Sequence, residues 1–204
     1  GRVTTRAQEL QKQGKEIIYC NIGNPHTFDQ KPLTYIREIL SLLEYPELLN
    51  KSLNGVFAAD SIRRAKFILE QIPEGLGAYS TSAGIDFVRQ AVADFYSRRD
   101  GISSNPDRII LTDGAGMAAR SVIMASIRNP QDGIMLPIPQ YPMYSATLSL
   151  VYGQTIGYYL DEENHWQLNE EILQESYEQA LEAVTNPREI TVINPGKPTG
   201  AVLS

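Results

Sequence analysis

A single cysteine, Cys20, occurs in the 204-residue sequence, so no disulfide can close within it. That fits a reducing compartment, where thiols stay free. The neighbours Ile17, Ile18, Tyr19 and Ile22 form an apolar, strand-like run, in which Cys20 reads as a small buried residue. Also missing is any apolar stretch near the roughly 20 residues needed to cross a bilayer, so no membrane segment is expected. The opening G-R-V-T-T-R-A-Q-E-L lacks the apolar core of a signal peptide, and nothing in it argues for secretion. Basic clusters are scarce. Beyond the pairs Arg63-Arg64 and Arg98-Arg99 the positive charges are scattered, and the net charge is −6. An electrostatic nucleic-acid footprint is therefore not expected.

What is present is globular in character: 42% hydrophobic and 21% charged residues, with the apolar ones spread throughout. The N-terminal part reads as helical. Residues 4–14 form a short helix stopped by Gly14, and E-I-I-Y-C-N-I at 16–22 reads as a strand. Helices are expected at 33–44 and 60–71, the second with Asp60 or Ser61 as N-cap and Pro73 and Gly75 as its stop. After a turn-rich stretch, Ile85, Val88, Val92, Phe95 and Tyr96 recur at helical spacing, which predicts an amphipathic helix with that stripe in the core.

From residue 108 strands and helices alternate. R-I-I-L-T, D-G-I-M-L-P, Q-T-I-G-Y-Y-L and E-I-T-V-I-N read as four strands, separated by helices at about 117–128, up to Val151, and at 169–184. Alternation of this kind predicts an α/β fold with a mostly parallel, helix-covered sheet. We expect residues 1–75 to form an arm and helical segment and 76–204 to belong to the sheet-bearing domain.

Three loops each follow a predicted strand: T-D-G-A-G, P-I-P-Q-Y-P-M-Y and N-P-G-K-P-T-G. Ligands of open α/β sheets bind beyond the carboxyl ends of the strands. The first loop leads into a helix N-terminus, where small residues let backbone amides close on an anion. It is not the dinucleotide fingerprint, because position 119 is Ala. In the second, Tyr141 can lay its ring on a flat cofactor or simply bridge surface and core. The third contains Lys197. A Walker loop is ruled out by Pro198 and the missing upstream glycine. A Schiff-base lysine needs an apolar pocket or a nearby cation, which the local sequence does not supply. A solvated loop lysine is the plain alternative.

These segments resemble the pyridoxal 5'-phosphate (PLP) aminotransferases of fold type I, and among them the alanine aminotransferases. The resemblance rests on I-G-N-P-H at 22–26, A-Y-S-T-S-A-G at 78–84, F-Y-S-R-R-D-G at 95–101 and I-I-L-T-D-G-A at 109–115. It continues through D-G-I-M-L-P-I-P-Q-Y-P-M-Y-S-A at 132–146, Y-Y-L-D-E at 158–162 and V-I-N-P-G-K-P-T-G at 192–200.

The resemblance implies PLP as cofactor and transfer of an amino group between L-alanine and 2-oxoglutarate. By the same likeness the amides of Ala115 and Gly116 hold the cofactor phosphate, although many relatives have serine at position 116. Tyr141 stacks on the pyridine ring, and Gly23 lies beside the substrate. Tyr79 reaches the cofactor phosphate of a neighbouring subunit, which implies a homodimer or larger assembly. Arg89 is the family's helical arginine, with a structural role. Lys197 stands where the family usually has an asparagine that binds the cofactor's ring oxygen. The Schiff-base lysine, the aspartate facing the pyridine nitrogen and the carboxylate-binding arginine lie downstream of this motif in the family. No catalytic residue is therefore assigned in this stretch, and by itself it is expected to be inactive. A second reading is a degenerate homologue serving as a structural or interaction subunit. Cytoplasm and mitochondrial matrix both fit.

Overall fold

A computed structural model describes residues 1–19, 23 and 25–203. Cys20, and residues 20–22 of the expected strand, lie outside the described residues. The chain divides into two units, Gly1–Tyr79 and Ser80–Ser204.

The first unit carries helices α1 (Arg2–Lys12), α2 (Thr34–Glu44) and α3 (Ala59–Gln71). Ile39, Leu42 and Leu43, at i, i+3 and i+4, form the buried stripe of α2 and pack on Ala65 of α3. The N-cap of α3 is Ala58, not Asp60 or Ser61. Its amide donates to Glu38 of α2 at 3.0 Å, so a neighbouring helix supplies what a local cap usually does. Residues 16–19 form no strand. Among the described residues of this unit no other strand offers them a partner.

The second unit runs α4 (Asp86–Asp100), α5 (Ala115–Ser126), β1 (Asp132–Ile138), α6 (Met143–Leu150), β2 (Gln154–Tyr159), α7 (Glu170–Glu182) and β3 (Asn186–Ile190). The three strands form a parallel sheet in the order β2-β1-β3. Central β1 is buried along nearly its whole length, and its side chains alternate between two covered faces. Ile134 and Leu136 pack with Ile123 of α5 and Leu148 of α6. On the other face Met135 packs with Ile156, Tyr158 and Ala180 of α7. This is the α/β architecture with helix-covered parallel strands that the alternation predicts.

Three local expectations are corrected. R-I-I-L-T does not join the sheet. Its backbone is satisfied elsewhere: the Leu111 amide donates to the Ala83 carbonyl at 2.9 Å, and the Ile109 carbonyl accepts from Arg89 at 2.9 Å. The last strand begins earlier than the apolar run, at Asn186, because its register on β1 starts at Asp132↔Asn186. In α4 only Ala93 is fully buried. Phe95 and Tyr96 are exposed and hold Arg99 over their rings at 5.6 and 4.8 Å. No described helix is long and apolar enough to cross a membrane.

Candidate functional site

In the second unit three chain features gather around the carboxyl edge of the sheet. One is the turn after β1, from Pro139 to Pro142. Another is the segment leaving β3, and the last is the N-terminus of α5.

The N-terminus of α5 is open by construction. Its N-cap is Gly114, which has no side chain to cap with. Gly114 takes φ 84° and ψ 168°, a backbone region reserved for glycine. Thr112 fixes the turn, its hydroxyl donating to the Gly114 carbonyl at 3.1 Å. The first helical amide with an acceptor is that of Met117, bonded to Gly114 at 3.1 Å. The amides of Ala115 and Gly116 precede it and find no acceptor among the described residues. In α7, by contrast, Asn169 accepts from the Ile172 amide at 2.8 Å. Two free amides and the positive end of a twelve-residue helix make an anion cradle. A Cβ built on Gly116 meets nothing nearer than the Met143 sulfur at 4.0 Å. The cradle therefore lies beside the start of α6, immediately after Tyr141 and Pro142.

Tyr141 is half-exposed, and Lys197 sets its Nζ over the tyrosine ring, 5.7 Å from the centroid. The loop that carries Lys197 closes on itself. The Gly196 amide donates to Ala201 and the Gly200 amide to Gly196, each at 2.7 Å. The Asn194 side chain accepts from the Leu203 amide at 3.1 Å. At the root of the loop the buried Tyr158 hydroxyl donates to the Thr191 carbonyl at 2.6 Å. Burial pushes that phenol up to about 12, so it keeps its proton at neutral pH.

Two residues here are not singled out by the loop motifs. Tyr158 is one. Gln140 is the other: its Nε2 bonds to Ser145 at 3.0 Å, while its Oε1 is buried with no partner. A buried acceptor left unpaired is costly, which marks it as a place for a bound donor. The signal in the sequence was only its adjacency to Tyr141. Elsewhere in the unit, Arg89 spends its guanidinium on structure. It donates to the carbonyls of Ile109 and Pro106 at 2.9 and 2.8 Å and to Asp86 at 3.0 Å.

The structure thus brings together Ala115, Gly116, Tyr141 and Lys197. Gly23 and Tyr79 belong to the first unit. A Cβ on Gly23 would meet no atom of that unit within 4 Å, and Tyr79 is fully exposed. Among the described residues no group of three His, Cys, Asp or Glu side chains is placed to hold a metal ion.

Comparison with known proteins identifies the family. Glutamate–glyoxylate aminotransferase 2 of Arabidopsis thaliana is 48% identical over 205 residues, a match that covers all of this chain and 43% of the relative. A probable mitochondrial alanine aminotransferase of Dictyostelium discoideum is 46% identical, over all of this chain and 41% of its own length. Among solved structures, an alanine aminotransferase from Pyrococcus furiosus superposes with a TM-score of 0.71 at 26% identity, over all of this chain and 43% of that one. The chain therefore spans less than half the length of these relatives. A sequence model described as aminotransferase class I and II matches residues 55–204. The chain belongs to the aminotransferase class I and II family.

Proposed function

We propose that the protein containing this stretch is a PLP-dependent alanine aminotransferase, exchanging an amino group between L-alanine and 2-oxoglutarate to give pyruvate and L-glutamate. The carrying observation is the meeting of the unpaired Ala115 and Gly116 amides with Tyr141 and Lys197 at one sheet edge. The residues present fit the cofactor. Its phosphate matches two free amides at a helix N-terminus, and its flat ring matches the exposed face of Tyr141. The unpaired Gln140 Oε1 leaves hydrogen-bonding capacity for a bound donor.

When bound, PLP supplies an electron sink that stabilises negative charge at the substrate Cα. The chain's own part is binding and orientation. Ala115 and Gly116 anchor the phosphate, and Tyr141 fixes the plane of the ring. Lys197 offers an ammonium where an amide is usual, a charge-assisted donor toward the ring oxygen. Gly23 leaves room for the substrate. Tyr79, fully exposed on its own unit, is free to reach the cofactor phosphate of a second subunit in a homodimer. Residues 1–75 serve as arm and helical segment, and 76–204 as the first part of the cofactor domain. Cytosol or mitochondrial matrix is the compartment.

A second reading is a homologue without transaminase activity, kept as a structural or interaction subunit. It is favoured by Lys197, whose ammonium is already engaged by Tyr141. One experiment separates the two. The full-length protein is purified, its visible PLP absorbance recorded after gel filtration, and pyruvate formation from alanine followed with 2-oxoglutarate and, separately, glyoxylate as acceptor. Retained absorbance with alanine-dependent pyruvate is expected. Retained absorbance without turnover establishes the second reading, and loss of both overturns the cofactor site itself.

A further inference from the structure

Central β1 contains a proline, Pro137, where a ladder amide belongs. The Thr191 amide donates to the Met135 carbonyl at 2.9 Å as the chain leaves β3. In a parallel ladder the carbonyl of that same residue accepts from the amide two positions further along the neighbour, which here is Pro137. Proline has no N–H to give. The Thr191 carbonyl is nevertheless satisfied, by the Tyr158 hydroxyl at 2.6 Å. Tyr158 lies in β2 directly opposite Pro137. The residue is 1% exposed, so its reach past β1 to β3 is fixed by packing. Tyr158, Pro137, Gly196 and Thr199 also border a gap of about 10 Å³. That is roughly the volume of one water and too small for a ligand, so these contacts hold the loop in place and bind nothing themselves.

We infer that Tyr158 is a positioning residue: its hydroxyl takes the ladder place that Pro137 leaves empty and sets the exit of the Lys197 loop toward Tyr141. The functional weight of this anchor rests on the cofactor reading proposed above; its geometry does not. Pro137 releases β3 from the sheet early enough for the loop to form, and Tyr158 keeps the released carbonyl from going unpaired.

The test uses the full-length protein with Tyr158→Phe, Pro137→Ala and the double variant, the second restoring an amide opposite Thr191. Hydrogen exchange of the 191–203 amides reads the anchor without cofactor, and titration with PLP reads its consequence. Tyr158→Phe is expected to speed exchange in the loop and weaken PLP binding by about tenfold, the scale of one buried hydrogen bond. The double variant is expected to recover most of both losses. Unchanged exchange in Tyr158→Phe overturns the inference. So does a double variant no better than the single in exchange, affinity or ability to fold. Loosened exchange in a protein that does not bind PLP at all upholds the anchor and overturns the cofactor reading instead.

Discussion

Gly114 and Gly116 stand two residues apart and have opposite reasons to be glycine. Gly114 sits at φ 84° and ψ 168°, where a side chain is strained whatever space surrounds it. Gly116 is in the first turn of α5, with nothing closer to its missing Cβ than the Met143 sulfur at 4.0 Å. Gly116→Ser therefore meets no clash. It should change stability by less than about 0.5 kcal/mol and tighten PLP about tenfold through a charge-assisted hydroxyl contact. Gly114→Ala should instead cost about 1–3 kcal/mol and weaken PLP as the amide cradle shifts. Thermal unfolding and PLP titration of the two full-length variants check both. A serine at 116 that binds PLP more weakly, or an alanine at 114 without cost, contradicts the cradle described for α5. The contrast was only half visible in the sequence, where D-G-A-G says that glycines occur but not which of them the backbone requires.

At the scale of elements, the start of β1 is fastened to the turn just past α5 by one buried carboxylate. Asp132 is fully buried and accepts from Arg128 at its backbone amide, Nε and Nη2, at 3.0, 2.9 and 3.0 Å. Those bonds, the side-chain ones foremost, hold its carboxyl well below the ordinary 3.8. A depressed folded value means that the contribution is complete above that ordinary value and disappears as pH falls through the folded one. Stability of the second unit should accordingly drop on acidification below about pH 4, more steeply than in Asp132→Asn. The variant should be weaker at pH 7 and flatter in acid, as followed by Trp166 fluorescence during denaturant unfolding. Parallel acid profiles for the two proteins would rule this pair out as a source of acid sensitivity.

The same elements show what could be read from sequence. Helices with strong periodicity and the strands at 132 and 154 were legible, β1 because burial on both faces makes an apolar run and β2 because its buried Ile156 and Tyr158 alternate with less buried neighbours. The three loops were legible as turn-rich breaks after apolar runs, two of them following strands of the sheet and the first following R-I-I-L-T, which joins none. R-I-I-L-T misled because an apolar run records burial and not pairing, and here Arg89 and Ala83 take its hydrogen bonds. Phe95 and Tyr96 misled because their spacing is helical while their partner is Arg99. Tyr158 was invisible because its role depends on a proline in another strand. Only the register of the folded sheet puts those two side by side.

For the whole molecule, the deciding quantity is how much edge and apolar surface these residues leave open. β2 and β3 are the outer strands of the sheet, and among the described residues each has one side unpaired. Ile190, the last residue of β3, and Val192 just beyond it are exposed, and the R-I-I-L-T segment, which joins no strand, exposes Ile110 to 70%. A covered sheet would bury such residues, and the chain spans only 43% of a relative that matches it from end to end. Produced alone, residues 1–204 should therefore associate as concentration rises, through strand edges that pair readily with another chain. Lysine placed at Ile190 and Val192 should shift that association to higher concentration, because a charged edge resists pairing. Light scattering across a concentration series measures both effects, with the full-length protein as reference. The full-length protein should hold one discrete assembly over the same range. A stretch that stays a cooperatively folded monomer at high concentration would show that its edges are covered from within, and would remove the argument for a partner surface.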